Sequence, residues 1–463
     1  MTLLAVALVF LGGLVGCDQP ITRELLVTRA IPAADGTWLW LGQVDVLDTP
    51  GGGDAGTDSG MDAGTIAPPV PDIPGDAWIA RISGERVVHW QLAVGSVGTI
   101  ETAEAILELR DSRIAVVGTA PGVGGHDAWL LLLEARGAVS LQQTLGGPGD
   151  ERFVELIDLP NGDLVAIGTA PGADGTPGLL AARITVAGDV VWSRVATVPG
   201  ATRVRAVNVL RRSDDRLIVV GALDVGTGDR GLDLWVLTFD FDGNLEWQRT
   251  LGTAGDADPA RAVLTEDLGL VIASRVVPTG PPADPTRPVT GDLWVLRADR
   301  GGTVVWQRYF QKVAFDETPR FVVLRDDGRV NVISSADGFG TRNAGDEDVW
   351  LVELDPDGEV LSQRRIASFD VDRAVNAFEK DDDTLEITGV VDGRPTSWTI
   401  KDDGTLLAGC GTVADTDATL IDTALQARNI TGLWENTGLT AAPTTAAEGR
   451  PPALEPLVCR SGP

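Results

Sequence analysis

One short pattern recurs seven times along this chain, and the repetition restricts the possible folds more than any other feature. The clearest copies read Asp-Leu-Trp-Val-Leu at Asp233–Leu237 and Asp292–Leu296, and Asp-Val-Trp-Leu-Val at Asp348–Val352. Weaker copies are centred on four further anchor residues: Trp78, Trp129, Leu179 and Trp398. A period of roughly 50 residues is typical of repeat architectures. The chain of 463 residues is therefore expected to form one closed body instead of several separate domains.

Each repeat contains two predicted β-hairpins. In the copy that begins at Asp233, alternating apolar residues lead into the Asp242-Gly243 turn, and a second strand follows it. An Asp-Gly pair between two such runs is a strong hairpin signal. A second hairpin is exemplified by Phe153–Leu159 and Leu164–Gly168, and its last strand ends in a small residue. Two hairpins make a four-stranded antiparallel unit, which is the blade of a β-propeller.

Other residues recur at fixed distances from the anchor. A glycine follows by eight residues at Gly137, Gly302 and Gly358. A second tryptophan follows by twelve at Trp90, Trp247 and Trp306 and by thirteen at Trp192, whereas Leu141 and Ser362 replace it elsewhere. Because the anchor tryptophans recur within strands, we expect them to pack between adjacent blades and not to bind ligands.

The count of hairpins predicts an all-β fold, a seven-bladed β-propeller over residues 22–410. The first hairpin occurs seven times, and the second occurs six times internally and once at the N-terminus, at Leu25–Ile31 and Thr37–Gly42. The N-terminal hairpin either begins the first blade or joins Ser397–Leu407 in a closing blade. Six or eight blades are the alternatives, because the copy at Leu179 is degenerate and Thr412–Val458 could add strands.

The N-terminus resembles a bacterial lipoprotein leader. Leu3–Val15 is apolar and too short to span a bilayer, and it ends in Leu14-Val15-Gly16-Cys17, which resembles the bacterial lipobox. This resemblance implies a signal peptide over residues 1–16, a lipid on Cys17, a short tether over residues 17–21 and a location in the cell envelope. An ordinary secreted protein is the alternative.

The other two cysteines predict a disulfide in an oxidising compartment. Cys410 closes the last repeat and Cys459 lies near the C-terminus. A bridge between them would tether the tail, residues 411–463, and stabilise it by roughly 4 kcal/mol on the chain-entropy model. Two free buried thiols are the alternative.

The charge of the chain limits its partners. The formal net charge is −30, whereas nucleic-acid binding needs clustered cations. We therefore expect no nucleic-acid partner and a strongly acidic surface.

A Gly/Asp/Pro-rich stretch, residues 47–75, carries the main candidate metal ligands. Asp54, Asp58 and Asp62 lie four residues apart and could bind Ca²⁺ through carboxylate oxygens, but a solvated low-complexity linker explains the same composition. Calcium is the only cofactor that the sequence suggests.

Repeat length varies most where the second hairpin leads to the next anchor, at Gln43–Gly75, Val276–Gly291 and Ala336–Glu347. In repeat proteins such insertions often mark a binding face. Asp284, Asp346 and Glu347, together with the acidic residues of the 47–75 stretch, would make this face suited to a cationic or Ca²⁺-bridged partner.

The repeat consensus, Asp-x-Trp-Leu-Val-x-Leu-Asp-x-Asp-Gly-x-x-x-Trp-Gln-Arg-x-x-Gly, resembles that of secreted bacterial β-propeller lipoproteins, most of which have no assigned activity. A more distant likeness links it to quinoprotein propeller repeats. The expected function is a non-catalytic binding or scaffold module of the cell envelope. Its expected partners are the membrane, through the N-terminal lipid, and an envelope protein or polysaccharide. One alternative is a propeller enzyme, either a carboxylate-based hydrolase or a quinoprotein-like oxidoreductase. The other is a structural surface protein without a specific ligand.

Overall fold

The structure is a computed structural model in which every regular element of the described residues is a β-strand. The described residues are 4–8, 23–45, 75–83, 87–95, 100–122, 125–147, 149–224, 226, 231–252, 255–278, 290–311, 316–337, 347–367, 372–380, 383–391, 394–408, 412–415, 419–421, 426–429, 433–436, 440–443 and 447–449. Within these ranges there is no helix long and apolar enough to cross a membrane.

Among the described residues, twenty-nine strands precede the C-terminal segment. In chain order they are β1 (Leu4–Leu8), β2 (Arg23–Pro32), β3 (Thr37–Asp45), β4 (Gly75–Ser83), β5 (Val88–Gly95), β6 (Thr102–Glu108), β7 (Ile114–Pro121), β8 (His126–Leu133), β9 (Val139–Gly146), β10 (Arg152–Asp158), β11 (Leu164–Pro171), β12 (Pro177–Ile184), β13 (Val190–Thr197), β14 (Arg203–Arg212), β15 (Arg216–Asp224), β16 (Asp233–Asp240), β17 (Leu245–Gly252), β18 (Gly255–Leu264), β19 (Leu270–Pro278), β20 (Asp292–Ala298), β21 (Val304–Gln311), β22 (Glu317–Leu324), β23 (Val330–Asp337), β24 (Glu347–Leu354), β25 (Val360–Ala367), β26 (Asp372–Glu379), β27 (Leu385–Val391), β28 (Arg394–Ile400) and β29 (Leu406–Ala408).

From β2 onward, each set of four consecutive strands forms one antiparallel sheet. The sheets form a ring, since each contacts the next and β2 of the first contacts β26 of the last. The chain is a seven-bladed β-propeller. The predicted fold is confirmed, and the N-terminal hairpin begins blade 1 instead of completing blade 7. We call the four strands of each blade a, b, c and d, from the ring axis outward.

Seven hydrophobic clusters hold the ring together, one between each pair of neighbouring blades. Trp235 of blade 4, for example, packs among residues of blade 3 and is fully buried. The other anchor tryptophans likewise face the preceding blade with no exposed surface: Trp78, Trp129, Trp294, Trp350 and Trp398. The predicted packing between blades is confirmed.

Strand pairing corrects two anchors of the sequence pattern, Leu179 and Trp398. Strand pairing puts the anchor Trp129 opposite Gly118, and the residue opposite the corresponding Gly168 is Leu180, not Leu179. In blade 7 the residue opposite Gly389 is Thr396, two residues before Trp398. These corrections make the pattern regular. Trp192 then stands twelve residues after its anchor, and a turn glycine follows each corrected anchor by eight, at Gly188 and Gly404.

The turn glycines and the second tryptophans form one recurring contact between blades. The ring of Trp247 in blade 4 lies against Gly302 in the c–d turn of blade 5, and Trp90, Trp192 and Trp306 make the same contact with Gly137, Gly243 and Gly358. These glycines have φ between +76° and +85°. Where Leu141 and Ser362 replace the tryptophan, the next turn glycine meets the side chain of Gln143 or Arg364 instead.

Replacing Gly302 by alanine is expected to lower the unfolding free energy by about 1–2 kcal/mol, since it adds a Cβ at positive φ and against Trp247. The added atom would lie 3.0 Å from the indole ring. Gly301→Ala is the matched control, because its nearest neighbour would be a carboxylate oxygen 3.4 Å away. Denaturant titration of both variants tests this. Equal losses would contradict a role for the tryptophan contact.

The described part of the C-terminal segment adds six short strands, β30 (Thr412–Asp415), β31 (Thr419–Ile421), β32 (Gln426–Asn429), β33 (Leu433–Asn436), β34 (Thr440–Pro443) and β35 (Ala447–Gly449). They do not form an eighth blade. Each pairs with the d strand of a different blade, from blade 6 back to blade 1. We call these six strands the belt.

Blade 1 has one further strand at its inner side. Strand β1 pairs antiparallel with β2, with Leu4 opposite Val27 and Leu8 opposite Arg23. It lies within the segment that the lipobox predicts to be cleaved. Cleavage before Cys17 would remove it and leave β2 innermost, as the a strand is in the other six sheets.

Candidate functional site

The a strands carry a β-bulge at the same point in all seven blades. Pairing with strand b shifts by one residue there, and Arg29, Glu155 and Arg261 each directly follow the bulge. A bulge bends its strand and redirects the side chains beside it. In the other blades this position holds Ala105, Asn208, Phe321 and Asn376.

Three of these side chains meet inside the ring. Arg29 donates from Nη1 and Nη2 to the two carboxylate oxygens of Glu155, at 3.0 and 2.5 Å. Arg261 donates to Oε2 of Glu155 as well. They belong to blades 1, 3 and 5, so another blade lies between each pair and contact is possible only across the central channel. We call Arg29, Glu155 and Arg261 the axial cluster.

The axial cluster is largely removed from solvent. The side chains of Arg29, Glu155 and Arg261 are 12%, 10% and 20% exposed. Arg261 also lies over the ring of Phe321, 5.9 Å from its centroid, a cation–π arrangement. Charges at this burial are stable only when paired and hydrogen-bonded.

This arrangement is suited to joining blades 1, 3 and 5 across the channel, or to binding a ligand there, more than to transferring a proton. Its single carboxylate already accepts four hydrogen bonds, three from the two arginines and one from the backbone N–H of Leu156. Glycoside hydrolysis needs two carboxyl groups beside the scissile bond, and among the seven residues that directly follow the bulges only Glu155 carries one. The axial cluster has a formal charge of +1, because it contains two arginines and one glutamate, whereas the whole chain has a net charge of −30.

A second recurring group lies at the face where strand b leads to strand c, which we call the b–c face. Here Asp127, two residues before the anchor Trp129, and Glu151 of the next blade are both buried. Burial raises the pKa of Asp127, and burial followed by the charge of Asp127 raises the pKa of Glu151. The backbone N–H of Gly147 donates to Glu151 at 3.1 Å.

The equivalent group at the boundary of blades 5 and 6 supports a structural interpretation. The hydroxyl of Tyr309 donates to Asp292 at 2.6 Å, and Glu317 is fully buried nearby. Burial and the hydrogen bond to Asp292 raise the pKa of Tyr309. A group that recurs in two blade boundaries is better explained by the repeat than by one active site.

Glu151→Gln is expected to become more stable relative to the native protein as pH rises from 4 to 7. The folded-state pKa of Glu151 lies above its ordinary value of 4.5. The stability that it contributes is therefore present below that value and is lost as pH rises through the folded-state pKa. Thermal unfolding of both proteins across this range measures the difference. If the difference in stability between the two proteins does not change with pH, protonation of Glu151 is not coupled to folding.

A cleft on the opposite face contains His89. It is about 680 Å³ in volume and lies between blades 1 and 2, beside Trp90 and Arg136. Arg81 at its base pairs with Asp35 at 2.6 Å and Glu108 at 2.7 Å. The same type of ion pair recurs without a histidine in blades 3 and 5, at Arg183–Asp163 and Arg297–Asp267. This recurrence indicates a structural role for Arg81.

Most residues that the sequence singled out lie outside the described residues: Cys17, Asp54, Asp58, Asp62, Asp284, Asp346, Cys410 and Cys459. Glu347 is the first residue of β24, at the b–c face. The three long insertions all run from a b strand to a c strand, so they leave from this one face. Among the described residues, no three His, Cys, Asp or Glu side chains are grouped closely enough to hold a metal ion.

Sequence reasoning missed the axial cluster. Its members are 126 and 106 residues apart along the chain, and only the bulges bring them together. The second hairpin did contain one indication. The residue that follows the bulge of the a strand is charged in blades 1, 3 and 5, whereas in the other four blades it is apolar or carries an amide.

Comparison with known proteins shows only distant structural likeness. A putative 6-phosphogluconolactonase from Bacteroides uniformis is 10% identical with a TM-score of 0.43, over 78% of this chain and 96% of that one. Drosophila Plexin A, solved with Semaphorin 1b, is 7% identical with a TM-score of 0.42, over 79% and 86%. A Synechocystis apocarotenoid oxygenase mutant is 11% identical with a TM-score of 0.41, over 79% and 88%. No family model and no curated protein matches. Likenesses this weak say nothing about activity.

Proposed function

We propose that this protein is a lipid-anchored scaffold of the bacterial cell envelope, with a propeller that binds a partner non-catalytically through its b–c face. The observation that carries this proposal is the axial cluster. Propeller enzymes would use the central channel, and here Glu155 and its two arginines satisfy one another across it. The variable, acidic insertions instead connect strands whose ends lie at the b–c face.

The position of the predicted lipid supports the same face. Every a strand begins at the b–c face, because strand b ends there and pairs antiparallel with strand a. Strand β2 begins at Arg23, so the five residues that follow Cys17 could span only about 20 Å. A lipid on Cys17 would therefore hold the b–c face close to the membrane. The partner that fits is a basic segment of a membrane protein, or an acidic surface bridged by Ca²⁺.

Two measurements test the proposal separately. Cys17→Ser is expected to move the protein from the membrane to the soluble fraction and to abolish incorporation of labelled fatty acid. Retention of both would contradict lipid anchoring, whatever the partner.

Crosslinking in native envelopes, with calcium and with a chelator, tests partner binding. We expect specific crosslinks from the b–c face that are lost when residues 279–289 and 338–346 are shortened. Loss in chelator alone would assign the contact to Ca²⁺. Crosslinks that survive shortening would exclude these insertions as the docking surface.

A further inference from the structure

Within the seven blades, no strand from one end of the chain pairs with strands from the other end to close the ring. Each blade consists of four consecutive strands, so no blade combines both ends of the chain. Blades 1 and 7 meet through β2 and β26. Their contact includes Trp38 and Phe378, with ring centroids 5.5 Å apart, and Val375 packs in the same hydrophobic cluster as Val27. Non-covalent packing alone therefore joins the two ends within the propeller body.

The belt passes around the outside of this ring in strict order. Strand β30 pairs with β25 of blade 6, and β31 with β21 of blade 5. The remaining strands continue in the same direction, pairing β32 with β17, β33 with β13, β34 with β9 and β35 with β5. The segment that leaves blade 7 thus ends on blade 1, which neighbours blade 7.

Each belt strand covers the same half of its d strand. The paired residues are the last three or four, as in Arg194–Thr197 of β13 and Arg249–Gly252 of β17. A β-bulge lies at the second residue of the d strands, at Val191 and Val305 for example, and leaves those side chains exposed. Bulges oppose strand addition at sheet edges. The belt covers the regular half of each edge and the bulge protects the other half.

We propose that the belt closes the ring from outside and occupies six strand edges that would otherwise bind other chains. Exposed strand edges pair readily with extended segments of other proteins. The belt makes those pairings within the molecule. It also ties blade 1 to blade 6 through every blade between them.

The predicted disulfide would complete this closure. Cys410 is two residues beyond β29 of blade 7, and Cys459 is ten residues beyond β35 on blade 1. Ten residues can span up to about 35 Å. Bridging them would remove one proton and one electron from each thiol and reduce the disulfide of a thiol-oxidising protein to a dithiol. The belt would then be a covalently closed loop.

The test is to cut the belt after the full chain has folded. A protease site is inserted between Gly411 and Thr412, and a control protein carries the same site within residues 51–65. Each protein is cleaved, with and without reductant. Size exclusion then reports release of the belt, and hydrogen exchange reports protection of the strand edges.

We expect the belt to remain attached after cleavage without reductant and to dissociate with it. Amide exchange in the paired halves of β13, β17 and β21 should then rise at least about tenfold, and exchange in β29, which has no belt strand, should not change. The unfolding temperature should fall by about 10 °C, whereas the control should keep its value. Unchanged exchange after belt release would overturn the proposal. Release without reductant would overturn the covalent closure.

Discussion

Gly168→Ala is expected to destabilise the propeller by about 3 kcal/mol or more, the upper part of the range for forcing an atom into a packed interior. A Cβ at this position would lie 1.7 Å from the carbonyl oxygen of Arg152 and 2.9 Å from the Cα of Phe153. Both atoms belong to the a strand beside its bulge. Relief therefore requires the backbone of two paired strands to separate, which no side-chain rotation can replace.

Gly162→Ala, in the turn of the same hairpin, is the matched control. Its φ is +91°, and a Cβ there would have no atom within 4 Å. Only backbone strain applies, so we expect a loss of about 1 kcal/mol. Denaturant titration of the two variants separates contact from strain. Losses of equal size would show that the a strand can move away from Gly168 at little cost.

The same contact explains how much of the fold the sequence could predict. A small residue within each b strand lies against the a strand beside its bulge, and the anchor lies opposite this residue. These features recur in every blade, so blade number and strand order were readable from the repeat. The error at Leu179 has a physical origin. Leu179 and Leu180 are both apolar and both buried, so residue type does not distinguish them, whereas pairing with Gly168 and the spacing to Gly188 and Trp192 do.

The belt was not predictable in the same way. Its strands are three or four residues long, which is too short for an alternating pattern to stand out. They gain their partners from d strands far away in the sequence, such as Trp434 opposite Ala196. The sequence indicated that this segment could add strands, but the repeat rules apply only within blades. The prediction of a disulfide at its ends came from cysteine chemistry alone.

The aspartates that stand two residues before an anchor also have a contact that recurs with the repeat. In the consensus, an Asp begins strand c and a Gly ends strand d, and the structure places the Asp233 carboxylate directly over Gly252. A Cβ on Gly252 would lie 1.8 Å from an oxygen of Asp233. Asp127 and Gly146 make the same contact in blade 2. These acidic residues are thus packed into the blade, against the last residue of strand d.

The axial cluster had no such repeat to reveal it, and its energetic role follows from its burial. Glu155→Gln should lower the unfolding free energy by about 3 kcal/mol, because removing one partner leaves buried charges uncompensated. Two guanidinium groups, of Arg29 and Arg261, would then face each other across the channel without a carboxylate. Glutamine keeps the shape of the side chain, so lost packing does not contribute. Denaturant titration at low salt measures the effect.

The triple variant Arg29→Met, Glu155→Leu and Arg261→Met tests whether the axial cluster stabilises the fold or only determines which conformation forms. Replacing a buried ionic group entirely by apolar residues is often neutral or stabilising, by about 1–4 kcal/mol. We therefore expect the triple variant to be at least as stable as the native protein, while Glu155→Gln alone is not. Added anions such as phosphate should rescue Glu155→Gln in thermal unfolding, since they can replace the missing carboxylate between two arginines. If Glu155→Gln is as stable as the native protein, the charges of the axial cluster are hydrated, and the central channel is accessible to a substrate.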